Sequence, residues 1–337
     1  MNSKLKTKNS KFALVAGALF FALAANAQAQ QPPQPPKKMS RIGYLSAVSA
    51  TADTPRIEAF RRGLRDLGYI EGQNVSIEYR YEPADFDRLT QMAAELVALK
   101  IDVLVTVTTN AAQAAQKVTR SVPIVFMGIT DPVTAGLADS LARPGRNATG
   151  VTNMAAILTG KRLEMLKETV AKIARVAVLW DPKGPGSIPQ WNESQQPARD
   201  LGLQLYSMEV SSADRYEPAF KEAVKARNQA VWVTLNPLAN SNQKRIADLA
   251  ASHRLPSICA REDYADNGCL MAYGPGYADE GRNGARYVDK ILRGAKPAEI
   301  PVEQPMKFDL IINLKTAKQI GMTIPPNVLA RADRVIK

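Results

Sequence analysis

The sequence predicts an α/β protein of two doubly wound lobes, and three features support this prediction. Apolar strand segments alternate with amphipathic helical segments of ten or more residues, which is typical of parallel sheets with right-handed crossovers. The same alternation begins again in the second half of the chain. A Gly/Pro/Asn-rich passage leads into a short apolar segment at 150–151 between the two runs. Such a passage favours a crossing from one lobe to the other.

The first run begins with a short strand at 41–45. Asp53 or Thr54 is predicted to cap the following helix, with Pro55 near its first position. The apolar residues of this helix recur at helical spacing, and Gly68 ends it. The next elements are predicted as a strand at 75–81, a helix at 85–99, a strand at 103–107 and an Ala-rich helix at 110–118.

The segment 123–154 is the most informative part of the first run. It predicts a buried strand at 124–127, a polar turn at 128–131 and a helix with Pro132 at its first position. A strand, a polar turn at its carboxyl end and a helix make the ligand-holding unit of open α/β sheets.

The second half of the chain shows the same alternation of strands and helices. Helices are predicted at 159–170, 216–226, 243–253 and 282–292, with another ending near Leu201 after a loop at 181–189. Strands are predicted at 176–180, 204–210, 230–235, 256–259, 269–273 and 307–312. Ligands in such folds lie at the carboxyl ends of the strands, so we expect the two lobes to face one shared cleft.

Residues 1–29 have the pattern of a cleavable signal peptide. A cationic start with four lysines precedes an apolar run at 12–24, and small residues at 25–29 fit a cleavage site. An uncleaved membrane anchor is the alternative. Residues 30–39 are a Pro/Gln-rich spacer of extended polyproline type. A periplasmic protein is therefore expected.

The net charge of +12 suits an anionic ligand, lipid headgroups or an acidic partner, although scattered solvated Lys and Arg are the favoured explanation. The chain has no run of five like charges and no aromatic-basic stripe, so no nucleic-acid partner is expected. Cys259 and Cys269 can pair in an oxidising compartment or remain two buried thiols. No second ligand cluster accompanies them, so no metal site is expected.

Reactive groups are scarce. His253 is the only histidine, and no Ser/His/acid set can be assembled around it. Neither a Gly-x-Gly-x-x-Gly motif after the first strand nor a Walker-type phosphate loop occurs. The sequence therefore predicts binding without catalysis and without a cofactor.

Five segments of the chain are informative beyond their periodicity: RIGYLSAVS, FRRGLRDLGYIEGQNVSIEYRYEP, PIVFMGITDPVTAGLADSLARPGRNATGVT, YVDKILRGAKPAEIPVEQPMKFDLIINLKTAKQIGMTIPP and LARADRVI. They resemble segments of the tryptophan/tyrosine-type ABC-transporter substrate-binding proteins, and the resemblance covers nearly all of the chain after the spacer. The resemblance implies the type I periplasmic binding fold, in which a three-segment hinge joins two Rossmann-like lobes. It places 40–153 and 277–303 in the N-terminal lobe, and 154–276 and 304–337 in the C-terminal lobe. It also implies a permease in the inner membrane as partner, and ligands that are mainly aromatic amino acids.

Candidate ligand residues in the N-terminal lobe follow its predicted strands. Ser46 either donates to a carboxylate or caps a turn. Thr108, Thr109 and Asn110 open a helix whose free N–H groups and positive potential suit a carboxylate. Asn110 can also act as a simple N-cap.

Three further candidates surround the polar turn of this lobe. Gly128 lets a ligand approach the backbone closely. Asp131 either accepts an ammonium group or caps the helix at Pro132. Asn153 lies at the crossing and is expected to face the cleft.

In the C-terminal lobe, aromatic and polar candidates end predicted strands. Trp180 and Tyr273 can stack on a ring, although core filling explains Trp180 equally. Asp181 follows Trp180 directly, and Asn236 is a candidate hydrogen-bonding residue. Trp191 either forms part of the cleft wall or packs on the surface.

Two acids follow the strand that carries Cys259. Glu262 or Asp263 can hold a ligand ammonium group, or they can be acids at the start of a helix.

Together these observations predict a monomeric periplasmic solute-binding protein that clamps a small molecule between its lobes by hinge closure. An aromatic amino acid or a related carboxylate is the expected cargo, and a membrane permease would receive it. An extracytoplasmic ligand sensor for a membrane receptor kinase is the alternative. An exported hydrolase is a poorer one, because no base lies near any serine.

Overall fold

The structure, a computed structural model, describes residues 39–83 and 85–337. Two sheets, one of five strands and one of seven, form its framework, and helices cover their faces. The predicted α/β fold of two doubly wound lobes is confirmed. The predicted signal peptide and the spacer up to Lys38 lie outside the described residues.

The first sheet is parallel throughout and has the strand order β2-β1-β3-β4-β5. Its strands are β1 Ser40–Ser46, β2 Val75–Tyr81, β3 Val103–Val107, β4 Ile124–Ile129 and β5 Ala148–Thr152. The helices that join them are α1 Ala50–Asp66, α2 Phe86–Ala98 and α3 Thr108–Val118. The central strand β3 is buried along its whole length, as expected where helices cover both faces of a parallel sheet.

The second sheet has the order β12-β11-β10-β9-β8-β6-β7 and is parallel except for the pair β10 and β11. Its strands are β6 Arg175–Trp180, β7 Gln204–Glu209, β8 Ala230–Val233, β9 Ser257–Cys259, β10 Met271–Gly274, β11 Asp309–Asn313 and β12 Arg334–Ile336. Its helices are α4 Thr159–Thr169, α5 Ser187–Asp200, α6 Tyr216–Lys225, α7 Pro237–Asn240, α8 Gln243–Ser252, α9 Glu262–Asp266, α11 Leu314–Gln319 and α12 Pro326–Leu329.

The chain passes between the sheets three times. It leaves the first sheet after β5 and returns after β10 as helix α10, Tyr277–Leu292, which packs on α1 and β4. Glu303 then pairs with Val151 beside β5, and β11 carries the chain back to the second sheet. We call the first sheet with its helices, including α10, lobe one, and the second sheet with its helices lobe two.

One predicted helix is wrong. Residues after Pro132 form turns and bends instead. The carbonyl of Pro132 accepts from the amides of both Leu137 and Ala138, and Gly136 has a φ of +72°. The amide of Asp139 then donates to Pro144 instead of continuing a helical ladder. The predicted helix therefore does not form, and the chain turns back instead.

The predicted cap of the first helix is also wrong. Ser49 caps α1 by accepting from the amide of Ala52, and Pro55 lies inside the helix. Asp53 is fully buried and binds side chains instead. Helix α10 begins five residues before its predicted start, at Tyr277.

Cys259 and Cys269 are joined by a disulfide, which links the end of β9 to the segment before β10. Within the described ranges, the helices are too short or too polar to cross a membrane.

Candidate functional site

A cleft lies where the carboxyl ends of the strands of the two lobes meet. Lobe one contributes residues that follow β3 and β4, and lobe two contributes residues that follow β8 and β9. The residues that line it are Arg56, Thr108, Thr109, Asn110, Gly128, Thr130, Asn153, Gly186, Leu235, Asn236, Pro237, Asn240 and Arg261. The space between them is about 20 Å³, whereas ligand pockets commonly measure roughly 300–1,000 Å³. The lobes are therefore closed upon each other.

The N-terminus of α3 opens into this cleft. Its cap position is Val107, whose side chain makes no capping hydrogen bond, so the first amides of the helix are free to bind a ligand. Thr108 has a φ of +78°, an uncommon conformation for a β-branched residue and one that often marks functional sites. Thr108 Oγ1 and Asn110 Oδ1 are buried and have no hydrogen-bond partner among the described residues.

The carboxyl end of β4 and the turn that follows it approach the cleft, with Gly128 as the nearest residue of the strand. This glycine has a φ of +69°, and a Cβ on it would lie 2.8 Å from Glu280 Oε1, so no larger residue fits without rearrangement. Asn153 supports the turn, because its Nδ2 donates to the carbonyl of Gly128 at 2.9 Å. Its Oδ1 accepts from the amide of Ala155, so this side chain also fixes the first crossing.

Arg56 brings a buried cation to the cleft from α1. Its Nη1 donates to Asp53, and its Nε donates to Glu280 Oε2 at 2.6 Å. Burial alone would lower the pKa of Arg56, but the carboxylates of Glu280 and Asp53 outweigh it and raise the pKa well above the usual value. Arg56 therefore stays charged.

Arg261 is the matching cation from lobe two. It donates to both carboxylate oxygens of Asp263, at 2.8 and 3.0 Å, and to Asn240 Oδ1 at 3.2 Å. Burial opposes its charge, but Asp263 raises its pKa. Burial likewise opposes the charge of Asp263, whose pKa Arg261 nevertheless holds below the usual value.

Tyr277 joins these two cations across the lobes. Its ring lies between the guanidinium groups of Arg56, at 4.3 Å, and Arg261, at 4.0 Å. Its hydroxyl donates to Asp263 Oδ2 at 3.1 Å. Burial raises the pKa of Tyr277 well above its usual value, so the hydroxyl keeps its proton. Since Tyr277 begins α10 of lobe one and Asp263 belongs to lobe two, this cluster holds the lobes together.

The lobes also approach each other closely at Gly186. A Cβ on Gly186 of lobe two would lie 3.3 Å from Thr130 Oγ1 of lobe one.

Gln190 of lobe two is fully buried and both accepts from the amide of Leu235 and donates to its carbonyl, at 3.0 and 2.9 Å. This side chain fixes the loop that follows β8.

Six of the residues predicted from the sequence line the cleft, namely Thr108, Thr109, Asn110, Gly128, Asn153 and Asn236. Asn236 also caps α7, because its Oδ1 accepts from the amide of Ala239 at 2.8 Å. The predicted N-cap role of Asn110 is wrong, since the helix begins two residues earlier.

The predicted aromatic residues lie outside the cleft lining. Trp180 stacks on Trp191 with ring centroids 5.2 Å apart, and its Nε1 donates to Ser207. Tyr273 packs beside Phe308. These rings do not line the closed cleft, and their stacking on a ligand stays a prediction.

Three predicted polar residues also serve local structure outside the cleft lining. Ser46 Oγ accepts from the amide of Val48 in a turn. Asp131 accepts from the amides of Val133 and Thr134. Asp181 accepts from Ser211 Oγ and from the amide of Lys183.

The two acids after β9 differ in role. Neither lines the innermost part of the cleft, but Asp263 lines the cavity at its mouth. Glu262 lies in the first turn of α9. Asp263 stands behind Arg261 and holds it in place.

Sequence reasoning missed both arginines and Asn240. Arg261 follows β9 by two residues, so the strand-end rule that selected its neighbours would have found it. Arg56 gives no such signal, because it lies in the second turn of α1 and reaches the cleft only through the packing of α1 against α10.

Comparisons with known proteins agree with this architecture. The family model described as ABC transporter substrate binding protein matches residues 41–336. A tyrosine-binding protein of Clostridioides difficile is 25% identical over 326 residues, which are 94% of each chain. A conserved domain protein of Vibrio cholerae superposes with a TM-score of 0.85 at 27% identity, covering 88% of this chain and 100% of that one. The ABC domain from Streptococcus pneumonia in complex with L-Trp superposes with a TM-score of 0.83 at 27% identity, covering 89% of this chain and 100% of that one.

Proposed function

This chain belongs to the family of ABC transporter substrate-binding proteins, and we propose that its cleft binds a small carboxylate for delivery to a membrane permease. The free N-terminus of α3 carries this proposal. It opens between the lobes, and Thr108 Oγ1, which has no hydrogen-bond partner within the described residues, can donate to a carboxylate there. Asn110 Oδ1 is unpartnered in the same sense and can only accept, so Asn110 would reach a carboxylate through its Nδ2. Backbone amides at a helix N-terminus favour an anionic group.

The names of the relatives support the same chemical class of ligand. One is called tyrosine-binding, and another was solved with L-Trp, and both of these ligands carry an α-carboxylate. We therefore propose an amino acid or a related carboxylate as the cargo, with no reaction performed on it. The protein would work as a monomer outside the cytoplasm.

Hinge closure is the proposed mechanism. The space of about 20 Å³ admits no more than a small solvent molecule, so the lobes must separate before a ligand enters. A ligand that touches both lobes favours the closed state by its differential affinity for that state. We place the hinge boundaries after residues 153, 276 and 303.

A thermal-shift screen of carboxylates tests the proposal. A ligand at 100–1,000 times its Kd should stabilise the protein by roughly 3–4 kcal/mol. Asn110→Ala removes a hydrogen-bonding group in the cleft and should weaken binding by about tenfold, in line with the loss of one hydrogen bond to a charged group. Asn192→Ala, at an exposed position on α5, is the matched control and should bind normally. Equal affinity of both variants would contradict the placement of the ligand.

A further inference from the structure

We propose that the mouth of the cleft is a second binding site, which takes an anionic oxygen group such as a phosphate. The mouth cavity is a space of about 390 Å³ between the start of α1 in lobe one and the start of α8 in lobe two. Asn240 lines both this cavity and the innermost cleft, so the two spaces adjoin. The site goes beyond the proposed function, because it lies outside the α3 N-terminus to which the carboxylate of the cargo is assigned.

Two helices from opposite lobes begin at the mouth cavity. Ser49 caps α1 and accepts from the amide of Ala52, whereas Asn242, at the cap position of α8, makes no capping bond with its side chain. First-turn amides of both helices therefore remain without a partner, and a helix N-terminus attracts anions. Asp53, in the first turn of α1, is buried in its ion pair with Arg56. An anion between the two helix starts would relieve the repulsion between ends of like sign.

Asn240 gives an independent indication of a ligand. Its side chain is 4% exposed, and its Oδ1 accepts from Arg261 Nη2 at 3.2 Å and from the hydroxyl of Tyr264 at 2.8 Å. Because arginine can only donate, the atom that it contacts must be the oxygen of the amide. Within the described part of the chain, Asn240 Nδ2 makes none of the hydrogen bonds found. This buried side chain thus keeps one donor for a ligand.

Ser241 and Arg245 line the same cavity and offer further donors. Ser241 Oγ is buried and has no hydrogen-bond partner among the described residues. Arg245 is exposed and takes part in none of the hydrogen bonds and ion pairs found there. The acids that its charge influences, Asp214 and Glu217, are exposed and do not line the cavity. The guanidinium group of Arg245 is therefore available to an oxyanion, which it suits geometrically.

The carboxylate in the lining is already neutralised. Asp263 is the only acid among the described residues that line the mouth cavity. It accepts from Arg261, Gln243 and Tyr277. Lys244 is a second cation of the lining, and it pairs with an exposed carboxylate one turn along α8. The balance of charge in the cavity is therefore positive and favours an anion.

An anionic group in the mouth cavity has two sources. It is either a second acidic group of the cargo, which reaches past Asn240 from the cleft, or a free oxyanion from solution. Either one would contact both lobes and so favour the closed state by its differential affinity for that state.

Equilibrium dialysis of the exported protein against radiolabelled phosphate, at constant ionic strength, tests the free anion. We expect saturable binding of a single equivalent. Arg245→Gln should weaken it by about tenfold or more, in line with the loss of a charge-assisted bond. Asn240→Asp keeps the oxygen that accepts from Arg261 and replaces the unpartnered donor by a negative charge, so it should weaken binding at least as much. Arg254→Gln, exposed on the same lobe, is the matched control and should bind as the parent does.

Titration calorimetry tests the cargo as the source. It would compare L-serine with O-phospho-L-serine, and L-tyrosine with O-phospho-L-tyrosine. If the anionic group belongs to the cargo, one phosphorylated member should bind about tenfold more tightly than its parent compound, as expected for one added charge-assisted bond. Arg245→Gln should abolish this advantage, and Arg254→Gln should keep it.

The outcomes separate the second site from the proposed function. A positive result in either experiment supports the site and identifies the source of the anion. Phosphate that binds equally to the parent, Arg245→Gln and Asn240→Asp is an adventitious ion only, and overturns the site unless the phosphorylated compounds show the expected advantage. Failure of both experiments overturns it outright. A carboxylate that still binds in the thermal-shift screen would leave the proposed function standing.

Discussion

The ring of Tyr277 contacts two buried guanidinium groups, each of which is paired with carboxylates of the protein. Arg56 is 2% and Arg261 is 6% exposed, and a cation buried to this extent is tolerated only with a counter-charge. Asp53, Glu280 and Asp263 supply that charge from behind. Each cation is thus neutralised by carboxylates of the protein itself.

The hydroxyl of Tyr277 offers a test at this scale. Tyr277→Phe keeps the ring between the arginines and removes only the hydrogen bond to Asp263. A hydrogen bond to a charged group contributes roughly 1.5–3 kcal/mol, so urea unfolding should show a loss of that order. Tyr79→Phe, which removes a solvent-exposed bond to Glu71, is the control and should lose less. Equal losses in the two variants would mean that the bond to Asp263 adds no stability of its own.

At the scale of elements, periodicity predicted most strands and helices, since apolar spacing reports directly which face is buried. Strands β2 and β3 match their predicted bounds. The segment after Pro132 did not follow its pattern, because apolar spacing does not reveal that Gly136 adopts a positive φ and reverses the chain. The early start of α10 was not predicted, for a related reason. Its first turn is held by contacts with Arg56 and Asp263, which are distant in sequence.

The disulfide between β9 and β10 gives a prediction at the same scale. It closes a loop with a sequence separation of 10, and such bonds commonly stabilise by roughly 2–4 kcal/mol by restricting the unfolded chain. Cys259→Ala combined with Cys269→Ala should lower the free energy of unfolding by that amount in denaturant titrations. Reduction of the unsubstituted protein should reproduce the loss, while a reductant should not affect the double variant. An unchanged midpoint after full reduction would contradict this prediction.

For the whole molecule, alternation of strands and helices predicted two lobes and the strand-end rule predicted where they meet. Half of the cleft could be located in this way, because Thr108, Thr109 and Asn110 directly follow a recognisable strand. The arginines could not be assigned together, since the contact between Arg56 and Tyr277 exists only after α10 has returned from lobe two to lobe one. The cleft residues are therefore positioned by the chain crossings between the lobes as well as by the strand ends.

The central claim is that a ligand draws two hinged lobes together. Thr51 of lobe one and Lys244 of lobe two are exposed and line the same cavity at the mouth of the cleft. Cysteines introduced at these two positions can be spin-labelled selectively, because the described part of the chain contains no free cysteine.

Pulsed electron resonance between labels on Thr51→Cys and Lys244→Cys is the most direct measurement. The account predicts a longer or broader distance distribution without ligand, which narrows to a single shorter distance when a ligand found in the carboxylate screen is added. Distributions that coincide with and without a saturating ligand would contradict hinge closure.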